Sequence, residues 1–181
     1  MPPRNRARRR RAGAPWLCLV LFATAAAAGS TRLEQLPQPW RDDQGRVVSL
    51  GDLRGHRVFL SMAYTRCHRT CPTTMNQLQQ VQRLFDQHGE QATIVVIGLD
   101  PEYDDAASWR HYRAVRKLDR ANWYFLTGDL QQTRQLAHEL GFEFWTYDTH
   151  VMHDSRIVIF DSRGLLSAIV NPAAADWSTL F

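Results

Sequence analysis

The chain has 181 residues, 44% of them hydrophobic, which suits one globular domain with a terminal extension and leaves little room for a second domain. Its net charge of +4 would suit a nucleic-acid or membrane-surface binder, but six of the basic residues are arginines at positions 4, 6 and 8–11. Without these arginines the remaining chain has a net charge of −2. We therefore expect no nucleic-acid partner.

The first 29 residues have the pattern of an export signal. The arginines are followed by an apolar run over residues 12–28 and by small residues ending at Gly29 and Ser30. This order is typical of a secretory signal peptide. The run is also close to the lower limit of about 17 residues for crossing a bilayer, so a retained N-terminal membrane anchor is the alternative. We expect the protein in the bacterial periplasm or on the periplasmic face of the inner membrane, with a mitochondrial inner-membrane location as the less favoured alternative.

The remaining chain predicts a linker and one domain. Residues 30–40 are polar and contain two prolines, which predicts an extended linker before a domain over residues 41–175. Strands are predicted over 46–50, 57–63, 93–97, 123–126, 156–160 and 165–170, with an extended stretch over 142–147 and a loop over 150–153. Helices are predicted from 73 to near Gly89, from a cap at Asp104 or Asp105 to about 118, and over 130–140. This alternation predicts an α/β domain with a central mixed β-sheet flanked by helices.

The two cysteines outside the leader lie in the turn between the strand over 57–63 and the first helix. Cys67 and Cys71 are four residues apart, a spacing that on a helix or a turn entering one brings their Cβ atoms to about 5–6 Å. Such a pair can form a disulfide bond or bind one metal ion. Pro72 suits the first turn of a helix, and a helix start favours the thiolate form of Cys71. An inert disulfide remains an alternative, although so short a loop restrains the unfolded chain only weakly.

His153 is the candidate third member of the site, because it lies just before the predicted strand over 156–160. Two thiolates and one imidazole suit copper better than magnesium or calcium, whereas zinc would normally take a fourth ligand. A lone histidine in a loop is most often a solvated surface residue, so the pattern alone leaves its role open. His68, His150 and Met152 are further candidate ligands, each expected to be a bystander.

Several motifs, in order and at matching spacing from about residue 35 to 170, resemble the SCO/SenC copper-chaperone family. They are the run 45–50, Tyr64-Thr65-x-Cys67-x-x-x-Cys71-Pro72-Thr73-Thr74, Leu99-Asp100-Pro101-Glu102-x-Asp104, Leu126-Thr127-Gly128, and His153 with Ile157-x-Ile159-x-Asp161-x-x-Gly164. The match is much more specific than a lone pair of cysteines four residues apart. His68-Arg69 departs from it, since family members commonly carry Pro-Asp at these positions.

This resemblance implies a thioredoxin-like fold in which Cys67, Cys71 and His153 bind a copper ion. The implied function is that of a metallochaperone that assists assembly of a respiratory cytochrome c oxidase, by delivering copper to its binuclear copper centre or by reducing the cysteines of that centre. A non-enzymatic metallochaperone is favoured, and thiol–disulfide reductase activity is left open. Its partner would be the copper-receiving oxidase subunit. The alternative is a thiol–disulfide oxidoreductase that uses Cys67 and Cys71 as a redox pair to reduce a partner protein. A copper sensor is a further alternative, and a peroxidase is disfavoured because Tyr64 stands where that family needs Thr or Ser.

Overall fold

A computed structural model describes residues 31–67, 70–148 and 150–181 of the chain. The predicted leader, residues 1–29, lies outside these ranges, as do His68 and Arg69. Within them, no helix is both long enough and apolar enough to cross a membrane.

The described residues form three α-helices, two β-sheets and four short 3-10 helices. The α-helices are α1 Thr70–His88, α2 Ala106–Arg116 and α3 Leu130–Leu140. The strands are β1 Trp40–Asp42, β2 Val47–Val48, β3 Arg57–Ala63, β4 Ala92–Gly98, β5 Trp123–Thr127, β6 Phe144–Tyr147, β7 His150–His153, β8 Ile157–Phe160 and β9 Leu166–Val170. The 3-10 helices are Leu33–Gln35, Leu50–Leu53, Pro172–Ala174 and Trp177–Leu180.

Seven strands form one sheet in the order β2-β1-β5-β4-β3-β8-β9, and β6 pairs only with β7. The central strands β3, β4 and β5 are parallel, whereas β1, β8 and β9 run antiparallel to their neighbours. Every residue of β4 is buried, as its continuous β-branched run predicts for a strand covered on both faces. The prediction of an α/β domain with a central mixed sheet is confirmed.

Helix boundaries follow the predicted caps. Asp105 and Asp129 cap α2 and α3, and their side chains accept hydrogen bonds from the backbone N–H groups of Ser108 and Gln132. Gly141 ends α3 in the left-handed conformation that favours glycine. Helix α1 begins at Thr70, three residues before the predicted start. The backbone N–H groups of the first helical turn have no partner within the helix, so Pro72, which lacks an N–H, fits in that turn.

The stretch predicted as an extended linker differs from that prediction. Leu33 and Trp40 are fully buried, and the N–H of Leu33 donates to the carbonyl of Gly164 at 2.9 Å. Residues 33–35 form a 3-10 helix, and Trp40 begins β1, which pairs with both β2 and β5 in the main sheet. The two prolines in this stretch indicated a linker, but its large apolar side chains pack into the domain.

The stretch predicted as a loop over residues 150–153 is strand β7, so this prediction was wrong. It pairs antiparallel with β6, with Phe144 opposite His153 and Trp145 opposite Met152. Only two residues connect the strands, and Asp148 takes the positive φ of 55° that such a tight turn requires. His150 to Met152 alternate exposed, buried and exposed in the structure, but the sequence His-Val-Met-His does not itself alternate between polar and apolar residues.

Candidate metal centre

The sheet topology determines where the cysteine turn lies. β3 is parallel to β4, so the turn after Ala63 lies beside the loop after Gly98, and the N–H of Leu99 donates to the carbonyl of Ala63 at 2.8 Å. β8 is antiparallel to β3, so the residues preceding β8 return to this same edge of the sheet. The hydroxyl of Ser61 donates to the carbonyl of Arg156 at 2.6 Å and holds that approach. Three chain segments therefore meet at one edge of the sheet.

Cys67 and His153 meet at this edge. The Sγ of Cys67 lies 3.9 Å from the Nε2 of His153, although 86 residues separate them along the chain. Cys67 is only 3% exposed, and its N–H donates to the carbonyl of Tyr64 at 3.1 Å, which closes the turn. The ring of Tyr64 meets the imidazole edge to face, with 5.8 Å between ring centroids. The sulfur is thus held in a largely buried pocket against the imidazole.

The hydrogen bond on the other ring nitrogen orients the imidazole. Nδ1 of His153 lies 2.5 Å from the carbonyl oxygen of Asp154, and a carbonyl can only accept, so Nδ1 carries the proton. In the neutral ring the lone pair is then on Nε2, the nitrogen that faces Cys67. This is the tautomer that a metal-binding imidazole needs.

The His153 segment is also tied to α1 and to the sheet edge. The hydroxyls of Thr74 and Ser155 lie 2.7 Å apart, and Thr74 is buried. Asp154 is joined to Glu143 by a hydrogen bond from its own N–H to the Glu143 carbonyl at 3.0 Å. These contacts hold the root of the β6–β7 hairpin over the cysteine turn, so the position of His153 does not depend on one bond.

Cys71 lies in the first turn of α1, which begins at Thr70. Its side chain is outside the described part of the structure, as is His68. Among the side chains that are described, no three from His, Cys, Asp and Glu gather closely enough to hold a metal ion. The described portion of the site is therefore the Cys67–His153 pair.

Asp104 is the residue of this region whose role the sequence analysis missed. Its carboxylate accepts hydrogen bonds from the N–H and the hydroxyl of Thr65 at 2.7 and 2.8 Å, and from the N–H of Asp100 at 2.9 Å. Burial raises the pKa of Asp104 to about 6, in spite of those hydrogen bonds, which favour the charged form. Asp104 therefore joins the loop after β4 to the turn two residues before Cys67. The signal was the adjacent pair Asp104-Asp105, because a helix needs only one cap.

Arg66 makes a second connection between the same two loops. Its guanidinium lies over the ring of Tyr103, 3.5 Å from the centroid, and one nitrogen lies 3.0 Å from a carboxylate oxygen of Asp100. The pKa of Arg66 is raised, chiefly by this hydrogen bond to Asp100. The positive charge of Arg66, which is adjacent to Cys67 in the chain, is thus paired with a carboxylate and lies over an aromatic ring.

Comparison with known proteins identifies the family of this chain. The family model for SCO1/SenC matches residues 12–179, and the chain belongs to this family. A relative described as a SCO1 protein homolog, from Bacillus subtilis (strain 168), is 27% identical over 115 residues, which are 60% of this chain and 60% of the relative. The chain thus spans about three fifths of the length of that relative.

Solved structures share the fold. The structure of Arabidopsis thaliana ScoI with copper bound matches with a TM-score of 0.69 and 21% identity, over 80% of this chain and 90% of that chain. BsSco, described as a member of the Sco family of cytochrome c oxidase assembly proteins with a disulfide switch, matches with a TM-score of 0.69 and 21% identity, over 81% and 88%. The predicted thioredoxin-like fold is confirmed.

Proposed function

We propose that this protein binds copper through Cys67, Cys71 and His153 and delivers it to the binuclear copper centre of a respiratory cytochrome c oxidase. The observation that carries the proposal is the 3.9 Å separation of the Cys67 sulfur from the Nε2 of His153. A metal–sulfur bond of about 2.3 Å and a metal–nitrogen bond of about 2.0 Å separate two ligands of one ion by roughly 3.5–3.9 Å. The pair is therefore already spaced as two ligands of a single ion.

The chemistry of these side chains favours copper as the cargo. Thiolate is a soft ligand that selects Cu(I), and imidazole suits copper in either oxidation state. Cys71 supplies the second thiolate in the proposal, because it lies in the first turn of α1, four residues after Cys67. Three ligands without a fourth favour copper over a closed structural zinc site, which takes four.

The proposed recipient follows from the family. BsSco is described as one of the oxidase assembly proteins. The export signal predicted over residues 1–29 would place this protein in the periplasm or on the periplasmic face of the inner membrane. In that compartment two close thiols tend to oxidise unless a metal or a reductant holds them.

Metal analysis of the anaerobically reduced protein tests copper binding. We expect the wild-type protein to retain copper after desalting and Cys67→Ser to lose most of it. His138→Gln is the control, because it removes an exposed imidazole from α3 and leaves the proposed site intact. Equal copper retention in wild type and Cys67→Ser would overturn the proposal.

Delivery needs a separate experiment. The copper-loaded protein is mixed with the isolated copper-binding domain of an oxidase subunit, and the copper content of each is measured after separation. We expect the metal to move to the oxidase domain. Copper that stays with the loaded protein would contradict delivery and would favour a copper sensor.

A thiol–disulfide oxidoreductase is the second candidate function, supported by the four-residue spacing of Cys67 from a cysteine in the first turn of α1. In this function the pair would reduce a disulfide of one partner protein and become a disulfide itself. A reduction potential well below that of a periplasmic partner supports the reaction, whereas a higher potential contradicts it. Substrate reduction that persists without copper would favour this function over delivery.

A further inference from the structure

The β6–β7 hairpin has two chemically different faces. Residues directly opposite each other in an antiparallel pair share a face, and successive residues alternate. The register therefore places Phe144 and His153 on the inner face, toward Cys67. It places the pairs Trp145–Met152 and Tyr147–His150 on the outer face.

The outer face is open to solvent. Trp145, Tyr147 and Met152 are 55%, 70% and 44% exposed, and His150 is also exposed. Trp145 and His150 also line a cleft of about 430 Å³ against the loop after β4, which Met152 does not reach. The other described methionines, Met62 and Met75, are each 2% exposed. Met152 thus presents a thioether to solvent, which Met62 and Met75 do not.

The spacing of these side chains allows them to share one ion. His150 and Met152 are two residues apart on one strand, so their Cα atoms are separated by about 6.6–6.8 Å and their side chains point the same way. Trp145 is directly opposite Met152, at a Cβ distance of about 4.5–5.5 Å. A flexible thioether and an imidazole can converge over that span, with the indole ring beside them.

We propose that the outer face of the β6–β7 hairpin is a second, solvent-exposed site for monovalent copper, with His150 and Met152 as ligands and the ring of Trp145 against the ion. Thioether sulfur selects Cu(I), and imidazole accepts it. The face of an indole ring attracts a cation and can cover an ion that has only two ligands. This site uses none of Cys67, Cys71 and His153, so it does not rest on the proposed function.

Removing every thiol isolates the second site. The full chain carrying Cys18→Ser, Cys67→Ser and Cys71→Ser is titrated with Cu(I) in competition with bicinchoninate, with folding checked by circular dichroism. We expect one equivalent of Cu(I) to bind, and Met152→Leu or His150→Gln to weaken it at least about tenfold, because either change removes one of two ligands. His111→Gln is the matched control, since it removes an exposed imidazole from α2 and should leave the affinity unchanged.

Two further measurements support or overturn the site independently. In the chain with all cysteines intact, His150→Gln with Met152→Leu should lower the copper bound per chain by one equivalent. In the chain without cysteines, Ag(I), which binds the same ligands as Cu(I) but has no redox chemistry, should quench tryptophan fluorescence. Trp145→Phe should remove most of that quenching. Equal Cu(I) affinity with and without His150 and Met152 would overturn the second site, whatever Cys67→Ser does to copper retention.

Discussion

Asp104 accepts two hydrogen bonds from Thr65, one from its backbone N–H at 2.7 Å and one from its hydroxyl at 2.8 Å. Thr65 is two residues before Cys67, so a buried carboxylate from the loop after β4 determines the path of the chain into the cysteine turn. Asp104 is fully buried, so its ionisation costs free energy of folding, and the size of this cost depends on pH.

Asp104→Asn should change how stability depends on pH. The pKa of Asp104 is about 6 in the folded protein, above its ordinary 3.8, so between these values the folded state binds more protons than the unfolded state. The free energy of unfolding therefore falls as pH rises, by a total on the order of 3 kcal/mol from this group, of which about 2 kcal/mol falls between pH 4 and 6. Asparagine does not titrate, so we expect that fall to be absent from the variant. Urea denaturation at pH 4, 5, 6 and 7 measures it.

Asp105→Asn is the matched control for that experiment. The pKa of Asp105 is lowered, chiefly by the hydrogen bond from the backbone N–H of Ser108. Its contribution to stability is therefore present above the ordinary pKa and lost as pH falls, which is the opposite sign. The same pH profile in wild type and Asp104→Asn would show that this carboxyl does not titrate near pH 6.

His153→Gln should lower copper affinity at least about tenfold, because it removes the Nε2 lone pair that faces Cys67. His138→Gln, at an exposed position in the last turn of α3, should leave the affinity unchanged. Competition against a chromophoric copper chelator measures both variants. If His153→Gln bound copper as tightly as wild type and His138→Gln do, His153 would not be a ligand.

Gly128→Ala should destabilise the fold by about 1–3 kcal/mol, as overpacking of a core usually does. A Cβ at this position would lie 2.7 Å from a ring carbon of Trp40, which is fully buried between neighbouring side chains. Thermal or urea denaturation checks this prediction. The control is Ala107→Gly on the surface of α2, expected to cost about 1 kcal/mol by helix propensity alone. A Gly128→Ala variant as stable as wild type would mean that the indole can move.

Arg66→Ala should leave the free energy of unfolding nearly unchanged. Its contacts to Asp100 and Tyr103 involve a half-exposed guanidinium, and exposed pairs of this kind contribute little. Urea denaturation of Arg66→Ala, with Arg83→Ala as an exposed control from α1, measures the difference. A loss of stability as large as that of Gly128→Ala would show that the contacts of Arg66, and not Asp104 alone, hold the cysteine turn.

Much of the fold was predictable because its signals are local. The apolar β4, the caps at Asp105 and Asp129, and the left-handed Gly141 each follow from a few neighbouring residues. The packed 3-10 helix at Leu33 and strand β7 were not predicted. Each depends on a partner elsewhere in the chain: Gly164 for Leu33, and β6 for β7.

The sequence by itself determined the α/β alternation, the cysteine spacing and the set of soft ligands, because these depend on residue type and on distance along the chain. Tertiary structure alone decided which imidazole meets the Cys67 sulfur, since His150 and His153 are on the same strand but on opposite faces. It also decided that Asp104 and not Asp105 holds the cysteine turn. In both cases two residues of the same type lie close together in the sequence, but their side chains point in different directions. Strand pairing and burial, which only the tertiary structure shows, determine those directions.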